Sequence, residues 1–273
     1  MKRSYFFLLI ASILLSNSLL AGKEVKLSYQ LKQGQKYALE IKNNQTITMS
    51  MSGQSMLLKQ QMTMQQDVNI LSVDSVNNQS LELTYKSILF KQNAMGMEIV
   101  WDSQNPDTTN PMNQQIEQSL GKMIGSAIVI VIDEKGNPIS LDKGTAMSQQ
   151  ANLAGFESGM MVVYPDNKLS IGQSWQTKLQ PDPKSDFIIE STYLLEEIKG
   201  KYATISFNGT ISGTQIMGEK AVISGTISGK SEVELETGWV NSASVNQKLE
   251  MEMEQQGMKL PMQMSSFIEI STK

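Results

Sequence analysis

The chain has 273 residues, a formal net charge of −4 and neither cysteine nor histidine. Without these two residue types it cannot form disulfides, metal sites built from thiolate or imidazole ligands, or the histidine-activated nucleophiles of common hydrolases. The acidic balance, with no cluster of lysine and arginine, also argues against nucleic acid as a partner.

The first 21 residues have the features of a secretory signal peptide. Lys2 and Arg3 form a basic start, Tyr5 to Leu15 form an apolar core, and Ala21 supplies a small residue before a cleavage site. A retained membrane anchor is the alternative, but the apolar run is short for a bilayer span. We therefore expect an exported protein, periplasmic or extracellular, with peripheral attachment to the outer membrane as a further option. With no cysteine it is not a lipoprotein, and we expect no transmembrane segment after signal cleavage.

Most of the following chain alternates apolar and polar residues, which is typical of half-buried antiparallel strands. From residue 25 to residue 51 the apolar positions are odd-numbered, and after Gly53 they are even-numbered. Such a change is expected where a hairpin turns back and both strands keep one face toward the core. Further strands are predicted at 81–90, 97–101, 127–133 and 138–141.

Two helices are predicted among these strands. Asn110 is a suitable N-cap, Pro111 suits the first helical position, and apolar residues follow at helical spacing. This pattern predicts a helix near 111–124. A less regular pattern, interrupted by glycine, predicts a second helix near 145–157.

The second part of the chain repeats features of the first. Gly34-Gln35 precedes Tyr37 by the same spacing as Gly172-Gln173 precedes Trp175, and the methionine-rich stretch at 49–64 returns at 251–264. We interpret these similarities as the duplication of a β-rich unit. The alternative is that any β-rich, methionine-rich chain would generate such similarities by chance.

The predicted fold is mainly β, with duplicated curved antiparallel sheets, or half-barrels, and one or two helices between or across them. The predicted units are the signal peptide at 1–21, an N-terminal repeat at 22–162 and a C-terminal repeat at 163–273, packed together as one body.

Four segments together resemble a known family. They are the Leu-Lys-x-Gly-Gln-x-Tyr segment at Leu31, the methionine-rich hairpin at 49–64, the Ile-Asp-Glu-Lys-Gly-Asn turn at Ile132, and the stretch from Tyr164 to Trp175. On these motifs the chain resembles the family called domain of unknown function 6263, exported and methionine-rich β proteins common in Bacteroidetes-type bacteria. The resemblance implies an extracytoplasmic location and a β-rich fold. It implies no catalytic residue.

The paired methionines are the candidate ligand-binding residues. Residues i and i+2 of a strand share a face, and these methionines are in phase with Val, Leu and Ile on the same strands. We predict that this apolar face binds a lipid or another apolar or amphiphilic ligand of the cell envelope without covalent chemistry. We expect neither enzymatic activity nor a cofactor. The candidate residues are Met49, Met51, Met62, Met64, Met251, Met253, Met262 and Met264.

Two other functions remain open at this point. The methionines could be sealed inside a structural or scaffolding protein of the envelope. Alternatively, the Met-x-Met pairs could bind Cu(I), an ion that thioether ligands select. An open cavity lined by Met49, Met51, Met251 and Met253 would favour ligand binding over a sealed core.

Overall fold

The computed structural model describes residues 24–51, 54–94, 96–107, 109–141, 161–180, 186–216, 219–255 and 258–273. The described strands are β1 (Lys36–Met51), β2 (Gln54–Val73), β3 (Gln79–Ala94), β4 (Met97–Asp102), β5 (Ala127–Ile132), β6 (Pro138–Leu141), β7 (Ser174–Leu179), β8 (Ile188–Lys199), β9 (Tyr202–Ile216), β10 (Glu219–Glu234), β11 (Val240–Gln255) and β12 (Met258–Thr272). One helix, α1 (Pro111–Leu120), continues into a 3-10 turn at Gly121–Met123. The predicted signal peptide and the predicted helix near 145–157 lie outside the described residues.

The twelve strands form a single antiparallel sheet, which confirms the prediction of a mainly β fold. Their order is β6-β5-β3-β2-β1-β12-β11-β10-β9-β8-β7, and β4 pairs with the second half of β3. In the described part of the chain the sheet ends at β6 and β7 and is therefore not closed. The two expected sheets are thus continuous: β1 pairs with β12, from Leu39 opposite Thr272 to Met49 opposite Met262.

The predicted strands and the first predicted helix are present. The strands expected at 81–90, 97–101, 127–133 and 138–141 correspond to β3, β4, β5 and β6. The side chain of Asn110 caps α1, because its Oδ1 accepts a hydrogen bond of 2.9 Å from the backbone N–H of Met112. No helix of the described residues is both long enough and apolar enough to span a membrane.

The two ends of the sheet differ. Because all pairs are antiparallel, the ends at which β1 adjoins β2, β3 adjoins β4, β9 adjoins β10 and β11 adjoins β12 lie together, and we call this the upper end of the sheet. The lower end carries the β2–β3, β8–β9 and β10–β11 turns. Residues 24–35 and 161–172 join this lower end through backbone hydrogen bonds, among them Gly34 N–H to Ile70 O and Gln30 N–H to Thr237 O.

The hydrophobic core lies on one face of the sheet near the lower end. Leu27, Tyr29 and Tyr164, from the segments that cover this end, are no more than 2% exposed and pack with the strand residues. The strand side chains of this face come from odd positions in β1, β9, β10 and β11 and from even positions in β12. This alternation is the one predicted for the two methionine-rich hairpins.

The two Gly-Gln segments form the same turn. Gly34 and Gly172 have φ values of 83° and 88°. Their N–H groups donate to Ile70 O and Leu195 O respectively, each at 2.8 Å, and the following glutamines donate back to the turn. Identical turns at equivalent positions support the duplication, which stays an interpretation.

Candidate functional site: an apolar groove at the upper end of the sheet

A groove of about 920 Å³ lies at the upper end of the sheet and is lined by residues of β1, β2, β3, β4 and β12. Residues of both sheet faces contribute to it, because the strands alternate their side chains. Its apolar lining consists of Met49, Met56, Leu57, Leu260, Pro261 and Met262. Such a groove can hold an apolar molecule by burial of surface alone.

The methionines of the groove belong to a row that crosses four adjacent strands, which we call the methionine row. Met56 pairs with Met49, Met49 with Met262, and Met262 with Met251. Direct cross-strand partners share a face, with Cβ atoms about 4.5–5.5 Å apart. The row therefore forms a continuous thioether surface, which is half-buried at Met49, Met56 and Met262 and buried at Met251.

Four of the eight predicted residues lie in or next to this row. Met49 and Met262 line the groove, and Met251 is the buried neighbour of Met262. Met264 lies two residues further along β12, where it packs partly against the core.

Two more of the predicted methionines do not line the groove and lie apart from the methionine row. Met62 pairs with Asn43 and Met64 with Ile41, and both pack against the small cluster of Ile88, Phe90 and Trp101. Met62 is six residues from Met56 along β2, a distance of about 20 Å. The hairpin 49–64 therefore does not form one methionine patch, although its methionines share a sheet face.

The two remaining predicted residues, Met51 and Met253, belong to β1 and β11, and their side chains fall outside the described part of the chain. The condition that we set for ligand binding, an open cavity lined by methionine, is thus met at Met49 and not at the buried Met251.

Sequence analysis missed Met56, Leu57, Leu260 and Pro261. Met56 and Leu260 are even-numbered residues after their turns and continue the predicted inward phase. With the turn placed between Met51 and Gln54, Met56 necessarily faces Met49. The alternation along β2 could therefore have predicted Met56 as a groove residue. The contribution of Leu260 and Pro261 could not be predicted, because it depends on the pairing of β12 with β1, which no local pattern encodes.

A row of uncharged polar side chains, which we call the amide row, crosses the same face below the methionine row. Gln247 pairs with Ser266, Ser266 with Gln45, Gln45 with Gln60, and Gln60 with Gln92. Gln60 Nε2 donates to Gln92 Oε1 at 2.8 Å. Gln247 and Ser266 are 4% and 5% exposed. Apart from Gln92, none of the row lines the groove.

Charged side chains of the groove come from the opposite sheet face. Lys59 and Lys91 lie on neighbouring strands, and Glu98 of β4 pairs with Asn93, whose other partner is Lys59. No group of three or more acidic side chains within the described residues could hold a metal ion. The thioethers of the methionine row are soft ligands, of the kind that suits Cu(I).

The strongest pKa shifts occur at the lower end, away from the groove. Burial raises the pKa of Tyr29 and Tyr164 far above the ordinary value of a phenol. Partial burial raises the pKa of Tyr37 to about 12. Val162 N–H donates to the Tyr29 hydroxyl at 3.1 Å, and the Tyr164 hydroxyl donates to Gly238 O at 2.7 Å. The first bond joins the two covering segments to each other, and the second joins the segment 161–172 to the β10–β11 turn.

Comparison with solved structures identifies a similar fold. A chain titled "Lipid-protein interactions in lipovitellin" aligns with a TM-score of 0.55 and 9% identity, over 89% of this chain and 25% of that one. The protein thus spans about a quarter of the length of that chain. The translocator domain of autotransporter NalP from Neisseria meningitidis aligns with a TM-score of only 0.25 and 7% identity, over 89% of both chains.

Comparison with known sequences identifies the family. No curated protein matches the chain. The profile of DUF6263, described as a family of unknown function, matches residues 76–157 and 145–240, which together are more than half of the chain. The protein therefore belongs to the DUF6263 family.

Proposed function

We propose that the protein binds an apolar or amphiphilic ligand, such as a lipid, noncovalently in the groove at the upper end of the sheet. The observation that carries this proposal is the apolar lining of an open groove by Met49, Met262 and Leu260 from adjacent strands. Methionine is long and flexible, so this lining can adapt to chains of different shape.

The size of the groove is consistent with this function. Ligand pockets commonly measure about 300–1,000 Å³, and the groove has a volume of about 920 Å³. Removing ligand methylenes from water contributes about 0.8 kcal/mol each. About ten buried methylenes would therefore match the free energy of micromolar binding, about 8 kcal/mol, before the entropic cost of association is subtracted.

The fold provides secondary support. The similar lipovitellin chain carries a title that refers to lipid–protein interactions, and its likeness to this protein extends over 89% of the present chain. At 9% identity the likeness concerns the fold, so the ligand is proposed from the groove and not transferred from that protein.

The proposed location follows from the amino-terminal residues. We infer that residues 1–21 direct export, so that the protein meets its ligand in the periplasm or outside the cell. Binding without catalysis is the activity proposed, because thioether and aliphatic side chains supply most of the surface that lines the groove.

The experiment is a titration with the neutral fluorescent probe N-phenyl-1-naphthylamine. We expect saturable binding, at least tenfold weakened in Met49→Gln/Met262→Gln, because these substitutions keep the side-chain length and remove the apolar surface. Met97→Gln is the matched control, since Met97 is 64% exposed and does not line the groove.

Two results would count against the proposal: wild-type protein that binds no probe, or equal affinity of the double variant and the control. Titration with Cu(I) against a competing chelator tests the metal alternative, which the pairing of Met49, Met262 and Met251 makes specific. If the methionines are instead sealed inside a structural protein, the probe should not bind.

A further inference from the structure

Two lysines and two carboxamides form a block in the lining of the groove, which we call the basic block. Lys59 of β2 pairs with Asn93 of β3, and Gln61 of β2 pairs with Lys91 of β3. Residues two apart along a strand share a face, so the four side chains lie on one side of the sheet. All four line the groove and are exposed, so a molecule in the groove can reach them directly.

The two ammonium groups of the basic block can act on one ligand group. Lys59 and Lys91 are diagonal neighbours on adjacent strands, with Cβ atoms about 7 Å apart, a distance that long side chains can bridge. Gln61 and Asn93 occupy the other diagonal and add carboxamide N–H donors. Cationic and neutral donors thus surround a single position, which suits an oxyanion.

The charges of the two lysines are not neutralised by the protein. Lysines of other strands have carboxylate partners, for example Lys178, whose Nζ lies 3.0 Å from Oε1 of Glu190. Within the described part of the chain, no acidic side chain forms an ion pair with Lys59 or Lys91. Both ammonium groups are therefore available to a ligand.

The groove is positively charged in a chain that is acidic. Its lining contains two lysines and one glutamate, Glu98, whereas the whole chain has a formal charge of −4. Glu98 pairs with Asn93 and is the diagonal neighbour of Lys91, so it opposes the binding of an anion. The formal charge of the lining is still +1, which favours an anion over a cation.

The basic block adjoins the apolar lining of the same groove. Leu57, which is 49% exposed, lies two residues from Lys59 on the same face of β2 and lines the groove. Met56 of the methionine row lies three residues from Lys59, about 10 Å along the strand. A long alkyl chain is longer than this distance, so one molecule can contact both the lysines and the methionine row.

We propose that the ligand is an anionic amphiphile, whose carboxylate or phosphate headgroup binds to Lys59 and Lys91 while its alkyl chain lies on the apolar lining. This inference rests on the proposed function and names the class of ligand. Lysine binds both kinds of oxyanion as a point charge, so the basic block selects the charge of the headgroup.

The test is displacement of N-phenyl-1-naphthylamine by laurate, dodecyl phosphate and monolaurin, which carry alkyl chains of the same length. Laurate and dodecyl phosphate are anions at about pH 8, whereas monolaurin is a neutral glycerol ester. We expect at least one anion to bind at least tenfold more tightly than monolaurin, and the tighter anion identifies the headgroup. Acetate and inorganic phosphate, which lack the chain, should not displace the probe.

Lys59→Gln/Lys91→Gln is expected to weaken binding of the preferred anion about tenfold and to leave monolaurin and the probe unaffected. The melting temperature should not change, because both side chains are exposed. Lys199→Gln/Lys248→Gln is the matched control, since it removes the same charge from two exposed lysines that do not line the groove. This control should bind the anion as the wild type does.

Glu98→Gln tests the sign of the interaction. Removing this carboxylate should raise the affinity for the anion and leave that for monolaurin unchanged. Raising the ionic strength from about 0.05 M to about 0.5 M should weaken anion binding relative to monolaurin, because salt screens exposed charges.

Three outcomes would overturn the inference. Monolaurin binding as tightly as both anions would show that the groove does not select charge. An equal loss of anion affinity in Lys59→Gln/Lys91→Gln and the control would assign the effect to net charge; the proposed groove function would survive both results. Wild-type protein that binds neither the probe nor any of the three amphiphiles would overturn the groove function and this inference together.

Discussion

Gly136 lies in the turn between β5 and β6, with a φ of 92° that side-chain-bearing residues rarely adopt. The turn is held by Asp133, whose Oδ1 accepts hydrogen bonds from the backbone N–H groups of Lys135 and Asn137. A Cβ atom on Gly136 would lie 2.6 Å from Cε2 of Tyr29 and 2.7 Å from the Val162 carbonyl oxygen. The glycine thus permits both the turn and the close approach of the two covering segments.

Gly136→Ala should therefore lower the free energy of unfolding for two reasons. The positive φ costs about 1–2 kcal/mol, and the overpacking against Tyr29 and Val162 adds about 1–3 kcal/mol. Gly200→Ala is the control, because Gly200 also has a positive φ but nothing lies within 4 Å of its added Cβ. Urea unfolding measures the free energy of unfolding of both variants. An equal loss in the two would contradict the packing contribution at Gly136.

Single residues were predictable where a local rule determines them. The inward phase of Met49, Met251 and Met262 follows from alternation along one strand, and the Asp133 turn follows from its composition. The burial of Gln247 and Ser266 was not predictable, because polar residues in a strand are ordinarily expected to face water.

The pairing of β1 with β12 is the element that makes one sheet from the two halves. Thr46 of β1 lies directly opposite Ser265 of β12. Antiparallel partners have Cα atoms about 4.5–5.5 Å apart, a distance within the range that a disulfide can bridge. The protein contains no cysteine, so an introduced pair has no competing thiol.

Thr46→Cys/Ser265→Cys is expected to form an intramolecular disulfide on mild oxidation, detected by faster non-reducing electrophoretic migration and by loss of free thiol. Thr46→Cys/Ser271→Cys is the control, because Ser271 lies six residues further along β12, or about 20 Å away. Free thiols in the first variant, or an equally rapid bridge in the second, would refute the register.

The existence of the strands could be predicted, but this pairing could not. Period-two patterns identify a strand and its buried face within a few residues. They carry no information on which strand lies beside it when more than 200 residues intervene, as between Thr46 and Ser265. For the same reason the sequence predicted a methionine face on each hairpin but not the groove where Met49 and Met262 meet.

At the scale of the whole molecule, tyrosine burial couples stability to pH. Burial raises the pKa of Tyr29, Tyr85, Tyr164 and Tyr193, and partial burial raises that of Tyr37 to about 12. The unfolded chain loses these protons near its ordinary phenol pKa of about 10, while the folded protein keeps them. Above that pH the folded state binds more protons than the unfolded state. The contribution of these tyrosines to the free energy of unfolding is therefore fully present below about pH 10 and is lost as the pH rises toward their pKa values in the folded protein.

We therefore expect alkaline unfolding above about pH 10, with phenolate absorbance of the buried tyrosines developing together with the loss of structure. Each fully buried tyrosine contributes a slope of about 1.4 kcal/mol per pH unit in that range. Tyr29→Phe/Tyr164→Phe should have a shallower dependence of unfolding free energy on pH between about pH 10 and about pH 12. An unchanged slope, or ionisation of these tyrosines in the folded protein near pH 10, would contradict this coupling.

The pairing of the first strand with the last also sets an order for folding. During synthesis β1 can pair with β2 at once, but its other edge has no partner until residues 258–272 have emerged. An unpaired strand edge can recruit other chains, so the nascent protein has a long interval of aggregation risk that a chaperone could cover. Because Leu260, Pro261 and Met262 complete the groove, a chain interrupted before β12 would lack the strand that pairs with β1 and part of the groove lining.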